Sequence, residues 1–136
     1  MLEFVTVVAI ALQATSDGSA HAAHMTKCAK VCAECQVTCD ACFAHCQMLS
    51  GKGEESHAKT AQYCVDCAEC CKACASLCAR NSPLAGHMLE CCALCCDDCA
   101  KSCESVPDDK HMADCARTCR DCAKQCRDMA KMMDKD

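Results

Sequence analysis

The sequence predicts an all-α chain folded as an antiparallel four-helix bundle with cysteines lining the core, plus a short N-terminal helix. Three observations lead there. Cysteine recurs at steps of three and four in four segments, and the six from Cys28 to Cys46 are spaced 4, 3, 4, 3 and 4. Three polar stretches containing Gly or Pro separate the segments: "SGKGEES" (50–56), "NSPLAG" (81–86) and "SVPDDK" (105–110). The segments are otherwise rich in Ala, Glu, Lys, Gln and Arg, which are good helix formers.

Residues 1–19 form an apolar segment, read as a short helix or a degenerate signal. The run from Phe4 to Leu12 has the length of a signal-peptide core, and "SAHAA" resembles a cleavage site. Its leading residues contain Glu3 and no Lys or Arg, the wrong charge for export. A bilayer takes about 20 apolar residues, so no membrane span is expected. The preferred reading is a helix that packs on the bundle or on another subunit, in a cytoplasmic protein; export to the periplasm is the alternative.

Residues 20–136 are read as one domain with helices near 20–49, 56–80, 83–104 and 107–133. Pro83 and Pro107 suit the first turn of a helix. At 100° per residue, Cys28, Cys32, Cys35, Cys39, Cys42 and Cys46 fall within an arc of about 80°. The second helix aligns Cys64, Cys67, Cys71, Cys74 and Cys78, the third Cys92, Cys96, Cys99 and Cys103, and the fourth Cys115, Cys119, Cys122 and Cys126. Cys70, Cys91 and Cys95 sit on the flanks of their stripes, Cys91 furthest out. Lys30, Glu34, Asp66, Lys72, Asp97 and Arg120 occupy other faces.

A bundle seam is ordinarily leucine. Here two Phe, one Tyr and no Trp leave few large apolar side chains, so the interior depends on its 22 sulfurs. The net charge of −5 and the absence of a basic run argue against nucleic acid.

Disulfides fit poorly as the purpose of these thiols. Neighbours at i and i+4 have Cβ atoms about 5–6 Å apart, whereas a disulfide needs roughly 3.5–4.5 Å. Cys64, Cys67, Cys70 and Cys74 match a ferredoxin spacing, but Ala75 stands where such a site has proline, and the helical register explains the pattern. The CxxC pairs lack the strand-to-helix setting of a thioredoxin-like site. No Ser/His/Asp or Cys/His group stands apart as catalytic, so the chain is not read as an enzyme.

Thiolate–metal chemistry remains. Isolated tetrahedral zinc sites would each carry excess negative charge into the interior, which costs several kcal/mol per uncompensated ion. Copper(I) is soft and selected by thiolate and thioether sulfur. If each ion takes two thiolates and each thiolate bridges two ions, about twenty Cu(I) nearly cancel about twenty thiolates. Pairs at i, i+4 are expected to clasp ions along each helix. A zinc or mixed-metal thiolate sink, acting like a metallothionein, is the alternative.

The bundle ends carry weaker, faster ligands. One end collects His21, His24, Met25, Met88, Met129 and Met133; the other collects His45, Met48, His57, Tyr63, His111 and Met112.

The pattern through "CAKVCAECQVTCDACFAHC", "CVDCAECCKACASLC", "CCALCCDDCAKSC" and "CARTCRDCAKQC" is similar to the bacterial copper storage proteins, over residues from about 24 to 133. The resemblance implies that core thiolates bind many Cu(I) ions per chain and that His and Met residues line one open end. By position, His45, Met48, His57, His111 and Met112 match that mouth. A homo-oligomer is expected, with copper chaperones or copper enzymes as partners. The chain lacks the twin arginine that an exported member would be expected to carry.

Overall fold

Cysteine and alanine make this core. Nineteen cysteines are buried, most without measurable exposure, and beside them lie Ala29, Ala68, Ala93, Ala100, Ala116 and Ala123, each following a buried cysteine. Among the described residues, Leu89 is the one buried leucine. A thiol on one position and a methyl on the next give each helix a narrow, smooth inner face, so that the helices approach closely around a column of sulfur.

The computed structural model describes the backbone of residues 2–135 and the side chains of residues 18–135. Its elements are α1 (Leu2–Ser50), α2 (Glu55–Ala79), α3 (Ala85–Glu104) and α4 (Lys110–Met133), with no strand among the described residues. Consecutive helices pack side by side, and α4 closes the ring against α1. This is the four-helix bundle that the cysteine stripes predict. Outside the core, Arg120 bridges Glu104 and Asp97 at 2.9 and 3.0 Å, and Arg127 also pairs with Asp97, tying α3 to α4.

A separate N-terminal helix is not found. The backbone is helical without a break from Leu2, so the apolar segment is the first part of α1. Gly18 lies within the helix with open space around it; one glycine costs a helix only about 1 kcal/mol. The expected packing of this segment on the bundle or a second subunit lies outside the described side chains.

The connections differ slightly from expectation. Gly53 takes a positive φ of 93° in the first loop, a conformation that glycine adopts without steric cost. Asn81, at φ 51°, closes α2 in the left-handed form common just after a helix. Pro83 and Pro107 lie in turns ahead of α3 and α4 rather than inside them. At α4 the start is set instead by Asp109, whose carboxylate accepts the backbone N–H groups of His111 at 2.9 Å and Met112 at 3.2 Å.

Leu89 is fully buried near the end of the bundle away from that cap. Leu89→Ala is expected to destabilise the reduced, metal-free protein by about 2–5 kcal/mol. Urea unfolding followed by circular dichroism checks it.

Candidate metal centre

The sulfur column is built from overlapping groups of four. Cys42, Cys64, Cys103 and Cys115 bring their Sγ atoms within 4.8 Å of one another, as do Cys39, Cys99, Cys115 and Cys119. Further along come Cys35, Cys39, Cys67 and Cys119, then Cys35, Cys71, Cys96 and Cys122, then Cys32, Cys92, Cys122 and Cys126. Neighbouring groups share members: Cys115, Cys119, Cys39, Cys35 and Cys122 each belong to two.

The close contacts cross between helices rather than running along them. Between α1 and α4, Cys32–Cys126 is 3.6 Å and Cys39–Cys119 is 3.5 Å. Between α2 and α3, Cys67–Cys96 and Cys71–Cys96 are 3.6 Å and Cys71–Cys92 is 3.7 Å. Cys67–Cys71, at 4.0 Å, is the same-helix pair among the recorded contacts. Side chains lean inward, and the facing helix supplies the nearer sulfur. These separations exceed the roughly 2.05 Å of a disulfide, and all the cysteines are free thiols.

Hydrogen bonding sorts the thiols. Cys74, engaged by Cys126 and Cys32, is lowered to about 6, whereas Cys96, engaged first by Cys122, is pushed up. At Cys46 burial is the leading cause and raises the thiol. A metal ion that binds such a column must displace protons, so uptake releases acid.

One end of the column carries soft and imidazole ligands. Met112 is fully buried, and its Sδ lies 3.6 Å from the Sγ atoms of both Cys42 and Cys46. Above it sit three imidazoles. His45 stacks on His111 with ring centroids 4.5 Å apart and lies edge-on to His57 at 5.9 Å. Asp109 joins two of them: its Oδ2 is 2.7 Å from His45 Nε2 and 3.3 Å from His57 Nε2. When His45 donates from Nε2, its Nδ1 keeps the lone pair that a metal needs. Three ligand types thus lie in series, from imidazole to thioether to thiol.

Asp109 was not among the residues expected here. Burial opposes its ionisation, but hydrogen bonds from His45, from the Met112 N–H and from His57 outweigh it and hold the carboxyl at about 2. The stability this supplies is present above the unfolded carboxyl value of about 3.9 and is lost as pH falls toward 2. Asp109→Asn keeps a helix cap and removes the charge; Asp109→Ala removes both and is expected to cost about 1 kcal/mol more at neutral pH. Below about pH 2, wild type and the Asn variant should converge in urea midpoint.

The expected site residues divide clearly. Nineteen cysteines reach the column. His57 and Met112 are buried at the mouth, and His111 is exposed but stacked over it. Met48, 53% exposed, turns away from the mouth, since it lies two residues beyond Cys46 on the opposite side of α1. Cys70 and Cys95 are half-buried and Cys91 is exposed, all three outside the column. At the opposite end Met25, Leu89 and Met129 are buried, with Met88 and Met133 packed against them.

A family model described as "Copper storage protein" matches residues 19–131. Among solved structures, the chain is similar to one described as "Cu(I)-bound Copper Storage Protein BsCsp3", with 28% identity and a TM-score of 0.72 over 79% of this chain and 98% of that one. It is also similar to a protein from Nitrosospira multiformis, with 31% identity and a TM-score of 0.69 over 80% of this chain and 96% of that one. No curated protein matches. The sulfur column, its histidine-capped end and the family match over nearly the whole bundle lead to one assignment: the chain belongs to the copper storage protein family.

Proposed function

We propose that this protein stores copper as Cu(I) on its core thiolates, loading and unloading through the end that holds His45, His57, His111 and Met112. The overlap of the sulfur groups carries the reading. A tetrahedral zinc site needs four thiolates of its own, but here Cys115, Cys119, Cys39, Cys35 and Cys122 each serve two groups. Shared thiolates suit Cu(I), which accepts few ligands and leaves each sulfur free to bridge. The ligands are the nineteen core cysteines, with Met112 as the first soft ligand inside the mouth. The protein buffers copper rather than transforming a substrate, and copper chaperones or copper enzymes are its exchange partners.

Among the described residues, no helix is long and apolar enough to cross a membrane. We place the protein in the cytoplasm, a setting that keeps this many thiols reduced, with assembly into homo-oligomers through the outer helix faces.

Anaerobic titration of the reduced protein is expected to give close to twenty Cu(I) per chain after gel filtration, and at most about five Zn(II) under the same conditions. Four to six Cu(I) per chain would mean isolated sites and would end the bridged reading.

A further inference from the structure

Cys70 on α2 and Cys95 on α3 stand apart from every other close sulfur pair in the protein. Their Sγ atoms are 2.9 Å apart, whereas the core contacts across the same two helices measure 3.6 to 3.9 Å. Non-bonded heavy atoms settle at about 3.5–4.0 Å, and a disulfide bond is about 2.05 Å. The outer pair lies between these distances. It also differs in setting, because both residues are half-buried and face outward, where a small reagent reaches them. The nineteen core thiols are shielded.

We propose that Cys70 and Cys95 are a redox-active dithiol that closes to a disulfide between α2 and α3, taking a low-molecular-weight disulfide as its oxidant. The Cys95 thiolate attacks one sulfur of the reagent, forming a mixed disulfide and expelling the first reagent thiolate, which takes up a proton. The Cys70 thiolate then attacks Cys95 Sγ, closing the protein bond and expelling the second. Two protein thiols lose two electrons, and one reagent disulfide is reduced to two thiols. Reduction by a thiol pool reverses the sequence.

At rest the two sulfurs are free thiols. Once formed, the bond pins α2 to α3 beside the core contacts Cys67–Cys96 and Cys71–Cys92. No core thiol is consumed. The protein would thereby register oxidation on its surface while its copper ligands stay reduced, a property separate from storage.

The test uses the full-length, metal-free Cys91→Ser variant, which lacks the most exposed thiol and its mixed adducts. It is incubated anaerobically with glutathione disulfide, quenched with N-ethylmaleimide and digested for peptide mass spectrometry. The expected product is one cross-link between the peptides carrying Cys70 and Cys95, appearing before any core cysteine reacts. The urea midpoint should rise with closure, and the rise should be absent in the variant carrying both Cys70→Ser and Cys91→Ser. Stable glutathione adducts on Cys70 and Cys95 without a cross-link overturn the proposal, as do core cross-links forming equally fast. The oxidised variant should bind as much Cu(I) as the reduced one; a loss of more than about two ions would show that the pair belongs to the store. Failure of the storage reading shows separately, as low capacity in the reduced protein.

Discussion

Replacing His111 and Met112 together with alanine is expected to slow both Cu(I) uptake and its removal by a chelator roughly tenfold, the change that about 1.4 kcal/mol on the barrier produces. Total capacity should stay within about one ion, because the thiolates remain. The reason lies in the order of ligands. An incoming ion held by imidazole must change partners before it reaches thiolate, and Met112 Sδ stands 3.6 Å from both Cys42 and Cys46. Removing the thioether leaves a gap in that relay, and removing His111 takes away the ring stacked on His45. The matching variant replaces Met25 and Met129 at the other end. Both are buried, so each substitution should cost about 2–5 kcal/mol of stability with little change in uptake rate. Stopped-flow uptake that slowed in the second variant alone would place the entrance at the other end.

The reduced, metal-free protein is expected to be helical, and loading it with Cu(I) should move its unfolding far beyond that of the apo form. Free cysteine packs as a small hydrophobe, the core is closed by alanine and methionine without any metal, and the segments favour helix. Metal then acts by linkage. A site with free ligand at about a thousand times its dissociation constant adds about 4 kcal/mol, and the column holds many sites. Binding of copper by the unfolded thiols reduces this, but scattered cysteines cannot reproduce shared four-sulfur groups. Far-ultraviolet circular dichroism with a thermal ramp on both forms decides it. A coil-like spectrum for the apo-protein would make copper a folding requirement instead.

How far the site can be read from the chain depends on which contacts are local. The seam is legible because a step of three or four keeps a side chain on one helical face whatever the partner helix does, as Cys115, Cys119, Cys122 and Cys126 demonstrate. Which sulfur meets which is not legible, because it depends on the rotation of facing helices; Cys39 and Cys119 meet across 80 residues of chain. Met48 lies close to the loop in sequence, but its register turns it away from Cys46. Asp109 is hard to see beside Pro107, which by itself suits a helix start. An Asp just before the helical run "KHM" is the cap signal that would have found it. Cys70, Cys91 and Cys95 were visible as off-register thiols, but their juxtaposition across α2 and α3 exists only once those helices dock.

The plug of Met25, Leu89 and Met129 has a consequence for the history of each stored ion. With loading through the His45, His57 and His111 end alone, as proposed, the column is a stack, not a reservoir. On that loading route, ions that enter first would move toward Cys28 and Cys78, and later arrivals would sit behind them near Cys42 and Cys46. Because adjacent groups share thiols, an ion advances by exchanging one sulfur at a time without passing through water. Withdrawal then reverses arrival, so copper labelled in an early pulse should be the last recovered.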